Sequence, residues 1–294
     1  MSGDVNGASS ASTEPTALDV WSRRLRGFFR SIPGTVGFSI VAFWIAVAIL
    51  APLIAPFPPN EIDVTAIGDP TPSATHWLGT DHLGRDILSR ISWGARTVLG
   101  LAPIAVIGAT FVGILFGVTS GYFGGWYDVI VMRIADILLS FPMIILYMII
   151  LALFGASALN IILVISTTKA PIIARIVRGI ALELREREYI AAAKLRGESS
   201  LFIMFVEILP NARGPLIVEM CLRMGFTIVT IGILGFLGIG LPPPDPDWGG
   251  MVKDAYGMIF IWPHMSIFPC LAISSLVIAF SFVAIGLREY RYHG

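Results

Sequence analysis

The sequence predicts an all-α integral membrane protein that crosses the bilayer about six times, and three observations predict it. Of 294 residues, 55% are hydrophobic and only 14% charged, whereas a soluble domain carries roughly 25% charged residues. The mean hydropathy is +0.80. The apolar residues gather into six runs, each close to the about 20 residues that a spanning helix needs. Too few charges remain to coat a water-facing surface of this size, so lipid or partner chains must cover the rest. The net charge is zero, which leaves no global field to recruit nucleic acid or anionic ligands.

Residues 1–34 come first. Their opening stretch of Ser, Thr, Gly and Ala cannot build a core and is expected to be a disordered tail. A basic juxtamembrane segment with Arg23, Arg24, Arg26 and Arg30 follows it. The first span, 36–55 within a 35–56 segment, is long for the apolar part of a signal peptide. Its basic cluster also starts well into the chain, so it is expected to remain as an anchor. An outer loop, 57–97, leads to a core, 98–288, with spans at 98–120, 137–153, 161–177, 216–239 and 267–287 and a short tail at 289–294. Lys169 and Pro171 interrupt the fourth span, and neighbouring helices can tolerate such a kink by re-satisfying the freed carbonyl. Cys221 and Cys270 fall inside apolar runs and are expected to be small packing residues.

Lys and Arg set the orientation. With the N-terminus in the cytoplasm, inside segments hold Arg133, Arg175, Arg178, Arg185, Arg187, Lys194, Arg196, Arg213, Arg288 and Arg291 besides the N-terminal cluster. Outside loops hold only Arg85, Arg90, Arg96 and Lys253. An even number of spans then puts both termini inside.

Two connections are too long to be mere turns. In the outer loop, Leu83, Ile87 and Ile91 recur at every fourth residue, Asp81 can cap a helix, and Asp81–Arg85 and Asp86–Arg90 stand at i, i+4 around Gly84. One face is apolar and the other charged, which predicts an amphipathic helix lying on the outer membrane surface or framing a pore mouth. In the inner loop, 178–213, Tyr189, Ile190, Ala191, Ala192, Ala193 and Leu195 alternate with Glu188, Lys194 and Arg196. Gly197 breaks the pattern, Ser199 or Ser200 restarts it, and Leu201 to Leu209 carry it to Pro210. Two short amphipathic helices meeting at a glycine are expected, with small alanines that let another surface approach. The spacing fits a docking element for a partner groove and a membrane-surface helix pair equally well.

Some chemistry is missing from the sequence. No G-x-x-x-x-G-K-[ST] occurs to cradle a nucleotide, and no H-E-x-x-H or G-x-S-x-G occurs either. His76, His82, His264 and His293 are scattered and are expected at surfaces or interfaces. Lys169, Glu219 and Arg223 fall within spans, where charge is expensive. Lys169 can snorkel and Glu219–Arg223 can form a structural i, i+4 pair. Alternatively, Lys169 and Arg223 line a pathway and meet an anionic group of a solute.

The run REYIAAAKLRGESSLFIMFVEILPNA resembles the coupling-loop signature of bacterial ABC importer permeases. Ala192, Ala193, Gly197, Leu209 and Pro210 stand in register with it, while Ala191 replaces the usual Glu and Glu207 the usual Ile. The segments HWLGTDHLGRDILSRISWGARTVL, GYFGGWYDVIVMRIADILLSFP and GFLGIGLPPPDPDWGGM are similar to the shorter permease type of the peptide/nickel branch. Lys169 stands where Trp is common in that branch, and Ile231 where Glu is common. The resemblance implies a type I importer transmembrane domain without catalytic residues of its own. It also implies a second homologous permease, two ABC ATPase subunits that carry ATP and Mg, and an extracytoplasmic solute-binding protein. The implied cargo is a di- or oligopeptide, with a nickel chelate or another small solute as the alternative. An ion-coupled transporter acting alone is the reading from another class, but the acids gather at span ends such as Asp136 or in loops, apart from Glu219.

Overall fold

A computed structural model describes Phe29 and residues 31–242 and 244–293, without the side chains of 290–293. The expected tail and most of the N-terminal basic cluster lie outside the described residues. Among the described residues the regular structure is helical. Among the described residues five helices are long and apolar enough to span a membrane, or six if a bent pair counts as one span.

Helix α1 (Ile32–Ile54) starts at Ser31, whose hydroxyl accepts from the Gly34 amide. Helix α2 (Ile87–Phe123) is followed by α3 (Gly125–Ser140) and α4 (Met143–Phe154). The third expected span, 137–153, is therefore not one straight helix: α3 and α4 meet at 86°. Pro142 is the reason. It has no amide hydrogen, and its ring drives the preceding residue out of the helical region, so Phe141 lies at φ −79°, ψ 138°. Helix α5 (Ala158–Leu184) runs on through Pro171.

Helices α2 and α5 make the most extensive helix–helix contact of the fold. Small residues allow it. Ala105, Ala109, Gly113, Gly117 and Gly121 recur at every fourth position of α2 and are all buried. A Cβ on Gly113 would lie 2.7 Å from Ile173, one on Gly117 2.6 Å from the Ala174 carbonyl, and one on Gly121 2.7 Å from Ala181. Such a stripe lets two backbones approach within a bilayer, where packing rather than hydrophobicity holds helices together. Ser166 adds a hydroxyl bond to the Ala105 carbonyl at 3.0 Å.

Beyond α5, a short connection carries α6 (Glu188–Leu195), and a π-helical stretch (Ile203–Ile208) leads directly into α7 (Leu209–Phe236). Helix α8 (Trp248–Ala255) tucks back against the bundle, and α9 (His264–His293) closes it against α1 and α7. Trp248 is fully buried. Its indole donates to the Ile91 carbonyl at 3.0 Å and stands 5.0 Å from the Trp44 ring. Trp44 in turn donates to Ser275 at 2.9 Å, tying α1, α8 and α9 into one core. Ile49, Phe111 and Leu153 are 70–75% exposed, part of an apolar surface that lipid or a partner chain must cover. Cys270 is exposed as well, so it faces outward from the bundle rather than filling its interior.

The expected surface helix in the outer loop does not form. Residues 81–86 make a turn in which the Asp81 carboxylate accepts from the Leu83 and Arg85 amides at 2.9 and 3.0 Å. Gly84 supplies the positive φ of 77° that the turn requires. The helix cap is Asp86, which accepts from Ser89, and α2 continues from there into the membrane. Ile87 and Ile91 are buried in the bundle instead of facing lipid. Asp81 pairs with Arg85 at 2.6 Å as expected. Asp86 pairs with His76 at 2.9 Å instead of with Arg90.

His76 is thus a buried clamp rather than a surface residue. Its ring nitrogens meet Asp86 at 2.9 Å and Asp63 at 3.2 Å, and its face lies on Phe57. Burial pulls its pKa down, but the two carboxylates outweigh burial and leave it above the ordinary 6.5. A His raised in the folded state stabilises below its unfolded pKa, and that contribution is lost as pH rises through the folded value. The thermal midpoint of the detergent-solubilised protein is therefore expected to fall as pH rises from about 6 to about 9. His76→Gln should remove that slope and cost about 2 kcal/mol at the acid end. An unchanged slope in His76→Gln would discard the clamp.

Candidate functional site

Two groups of residues carry the candidate chemistry, one in the 185–208 connection and one at membrane level. The connection is a hook. Helix α6 ends in a Schellman turn: the Gly197 amide donates to the Lys194 carbonyl at 3.0 Å and the Glu198 amide to Ala193 at 3.2 Å. Gly197 sits at φ +79°, the left-handed conformation the turn demands. Ser199 then caps the next turn, accepting from Phe202 at 3.2 Å. Of the two serines, Ser199 restarts the helix. Pro210 lies in the first turn of α7, immediately beyond the π-helical stretch.

The hook is anchored on one face and bare on the other. Ile190 and Ala193 are buried with Ile203, Met204 and Ile208 against α5. Ala193 therefore packs on the chain's own core, and the exposed small residues are Ala191 and Ala192. Glu188, Tyr189 and Lys194 are also exposed, and Leu195 and Leu201 are 90% and 65% exposed. Glu207, at the departure from the signature, takes Arg196 at 3.4 Å and braces the bend. Basic residues in and just past α5 hold the hook's root: Arg178 grips Asp128 of α3, Arg175 pairs with Asp136, and Arg185, the C-cap of α5, donates to the Gly121 carbonyl at 3.0 Å.

At membrane level, Lys169 of α5 donates to Thr230 of α7 at 3.2 Å. It lines a cavity of about 120 Å³ with Tyr147, Thr168 and Thr230. Among the described residues no carboxylate pairs with it. Glu219 and Arg223 form the expected pair on α7, with the guanidinium over Phe226. Arg223 and Thr230 lie two helical turns apart on one face of α7, so the structure brings Lys169 and Arg223 to the same side of the bundle. Asp81, Gly84, Arg85, Asp86 and Arg90 gather instead at the opposite end from the hook, around the outer loop.

Sequence reasoning missed the small-residue stripe of α2 and the charged cavity between α7 and α8. The spacing of four from Ala105 to Gly121 was a signal for the first.

Residues 113–291 match the family described as the binding-protein-dependent transport system inner membrane component. Residues 20–72 match the N-terminal transmembrane domain of oligopeptide transport permease C. The chain is 38% identical to the dipeptide transport system permease protein DppC of Alkalihalophilus pseudofirmus, over 93% of this chain and 90% of the relative. It is 37% identical to the glutathione transport system permease protein GsiD of Pectobacterium atrosepticum, over 92% and 89%. This chain belongs to the binding-protein-dependent transport system inner membrane components, the permeases of ABC importers. It is accordingly a multi-pass inner-membrane protein with a type I importer transmembrane domain.

Proposed function

We propose that this chain is the permease subunit of an ABC importer of di- or oligopeptides and forms half of the translocation pathway. It pairs with a second homologous permease, sits on two ATPase subunits that bind ATP and Mg, and receives its solute from an extracytoplasmic binding protein. It performs no catalysis itself. The hook lies in the cytoplasm with both termini, in keeping with the basic residues that crowd that end. The observation that carries the reading is the hook: a Schellman bend at Gly197 presents Ala191, Ala192, Leu195 and Leu201 to a partner while Ile190 and Ala193 root it in the bundle. A rigid, rooted projection transmits a partner's motion to the helices it joins. The test is purification from membranes together with uptake in vesicles. Stoichiometric ATPase subunits and ATP-dependent uptake are expected. Peptide movement by this chain alone, without ATP, would end the reading.

Lys169 and Arg223 would then face the pathway and meet anionic groups of the solute. In variants that still assemble, Lys169→Ala is expected to weaken uptake of acidic peptides about tenfold in KM, the scale of one charged hydrogen bond. Arg223→Ala should do less, because Glu219 already occupies the guanidinium. Normal uptake of acidic and neutral peptides in both variants would remove these residues from the pathway.

A further inference from the structure

At the end of the bundle opposite the hook, a cavity of about 310 Å³ opens where the outer loop, the start of α2, the Gly-rich end of α7 and α8 converge. Three cations, Arg85, Arg90 and Lys253, and three anions, Asp245, Asp247 and Asp254, line it. Two of the six are buried. Arg90 is 6% exposed and Asp247 7%.

Both buried charges have partners, and each keeps part of its hydrogen-bonding capacity free. Arg90 donates through one terminal nitrogen to the Pro59 carbonyl and to Asn60, both at a long 3.3 Å. Its Nε makes no hydrogen bond but forms a long ion pair with Asp81 at 3.7 Å. Asp247 is the N-cap of α8 and accepts from the Gly249 amide at 3.1 Å, which uses part of its carboxylate. No hydrogen bond or ion pair joins Arg90 to Asp247. Each charge thus keeps binding capacity on the cavity side, and two partly used charges of opposite sign lining one cavity can receive something that carries both.

The backbone around Asp247 is shaped for it. A Cβ on Gly235 would fall 1.8 Å from the Asp247 carboxylate, and one on Gly240 2.6 Å from it. Only glycines let the acid reach this depth. Asn60 donates to the Pro244 carbonyl at 2.7 Å and straps the outer loop across the cavity. Burial pushes the Asp247 carboxyl up to about 6, against hydrogen bonds from Gly249 and Gly250 and the Arg90 charge, which pull it down. Above that pH it is an anion with unused capacity to accept.

We propose that this cavity is a binding site in the permease itself for a zwitterionic solute, whose ammonium is held by Asp247 and whose carboxylate by Arg90. The lining sums to zero charge, which suits a zwitterion rather than a net anion or cation, and the volume suits a dipeptide-sized body. The site rests on the importer reading for its role as an entry point, where solute leaving the binding protein would be oriented before passage.

The test is equilibrium binding of glycyl-alanine, its N-acetyl derivative and its C-terminal amide to the assembled permease–ATPase complex in nanodiscs, without binding protein. The free dipeptide is expected to bind at least tenfold more tightly than either derivative. Asp247→Asn, which keeps an oxygen for the Gly249 amide, should abolish discrimination against the acetylated amine and leave discrimination against the amide. Equal binding of free and blocked peptides, or unchanged discrimination in Asp247→Asn, would overturn the site. Should the variant fail to assemble, the wild-type comparison decides alone. Uptake with the binding protein is measured in parallel. Uptake without binding to the complex overturns the site and leaves the importer reading. Discriminating binding without uptake of any peptide supports the site and counts against that reading.

Discussion

Gly117→Leu is expected to remove this protein from the membrane fraction. A single Cβ at Gly117 would stand 2.6 Å from the Ala174 carbonyl and 2.7 Å from Val177. The obstacle is backbone of the facing helix, which cannot rotate aside as a side chain can. Extra methylenes in a packed core typically cost about 1–3 kcal/mol, and here α2 and α5 must separate along the largest contact in the fold. A loss above that range is therefore expected, with membrane-fraction protein reduced at least tenfold on immunoblots. Gly100→Leu is the matched control, because nothing lies within 4 Å of its Cβ position on the same helix. It should accumulate like the unaltered chain. Wild-type accumulation and assembly of Gly117→Leu would mean that the stripe does not hold the bundle together.

Gly197→Val should give the opposite pattern, with normal membrane insertion and lost coupling. No atom lies within 4 Å of a Cβ at Gly197, so a substitution meets no steric neighbour. The cost is in the backbone, since φ is +79°. A left-handed conformation costs an ordinary residue about 1–2 kcal/mol, and a β-branched one more. The chain can escape by unwinding the Schellman turn, which changes how exposed Leu195 and Leu201, on either side of Gly197, are presented. ATPase recovered with the permease and uptake should both fall about tenfold or more, the factor that 1.4 kcal/mol represents. Gly197→Asn, which tolerates φ above zero, should retain most of both. A full complex with normal uptake in Gly197→Val would show that the hook is not the lever.

The legible parts of this fold are those governed by local rules. Spans showed in hydropathy because a bilayer demands a fixed length of apolar, internally hydrogen-bonded chain. The hook showed because glycine, serine and proline punctuate helices by their own backbone chemistry. The outer helix was misread because Asp81 and Arg85 satisfy their four-residue spacing equally well in a turn, and Gly84 reverses the chain there. The broken third span carried its sign in Pro142, but a hydropathy sum is blind to a missing amide hydrogen. Ala193 was read as part of an exposed patch, whereas its place on α6 turns it into the chain's own core.

By itself the sequence determined that this is a helical multi-pass protein with five or six apolar helices, where it bends in the 185–208 connection and where its basic residues gather. Each of these depends on neighbours within a few turns of one another. Tertiary structure alone decided that Gly117 meets Ala174, that His76 clamps Asp63 to Asp86, and that Arg90 faces Asp247 across a polar cavity. Gly117 and Ala174 belong to different helices, as do Arg90 and the N-cap Asp247, and even His76 reaches its carboxylates only through a folded loop. Only tertiary packing sets them in one place, where a missing side chain or a partly used charge acquires meaning.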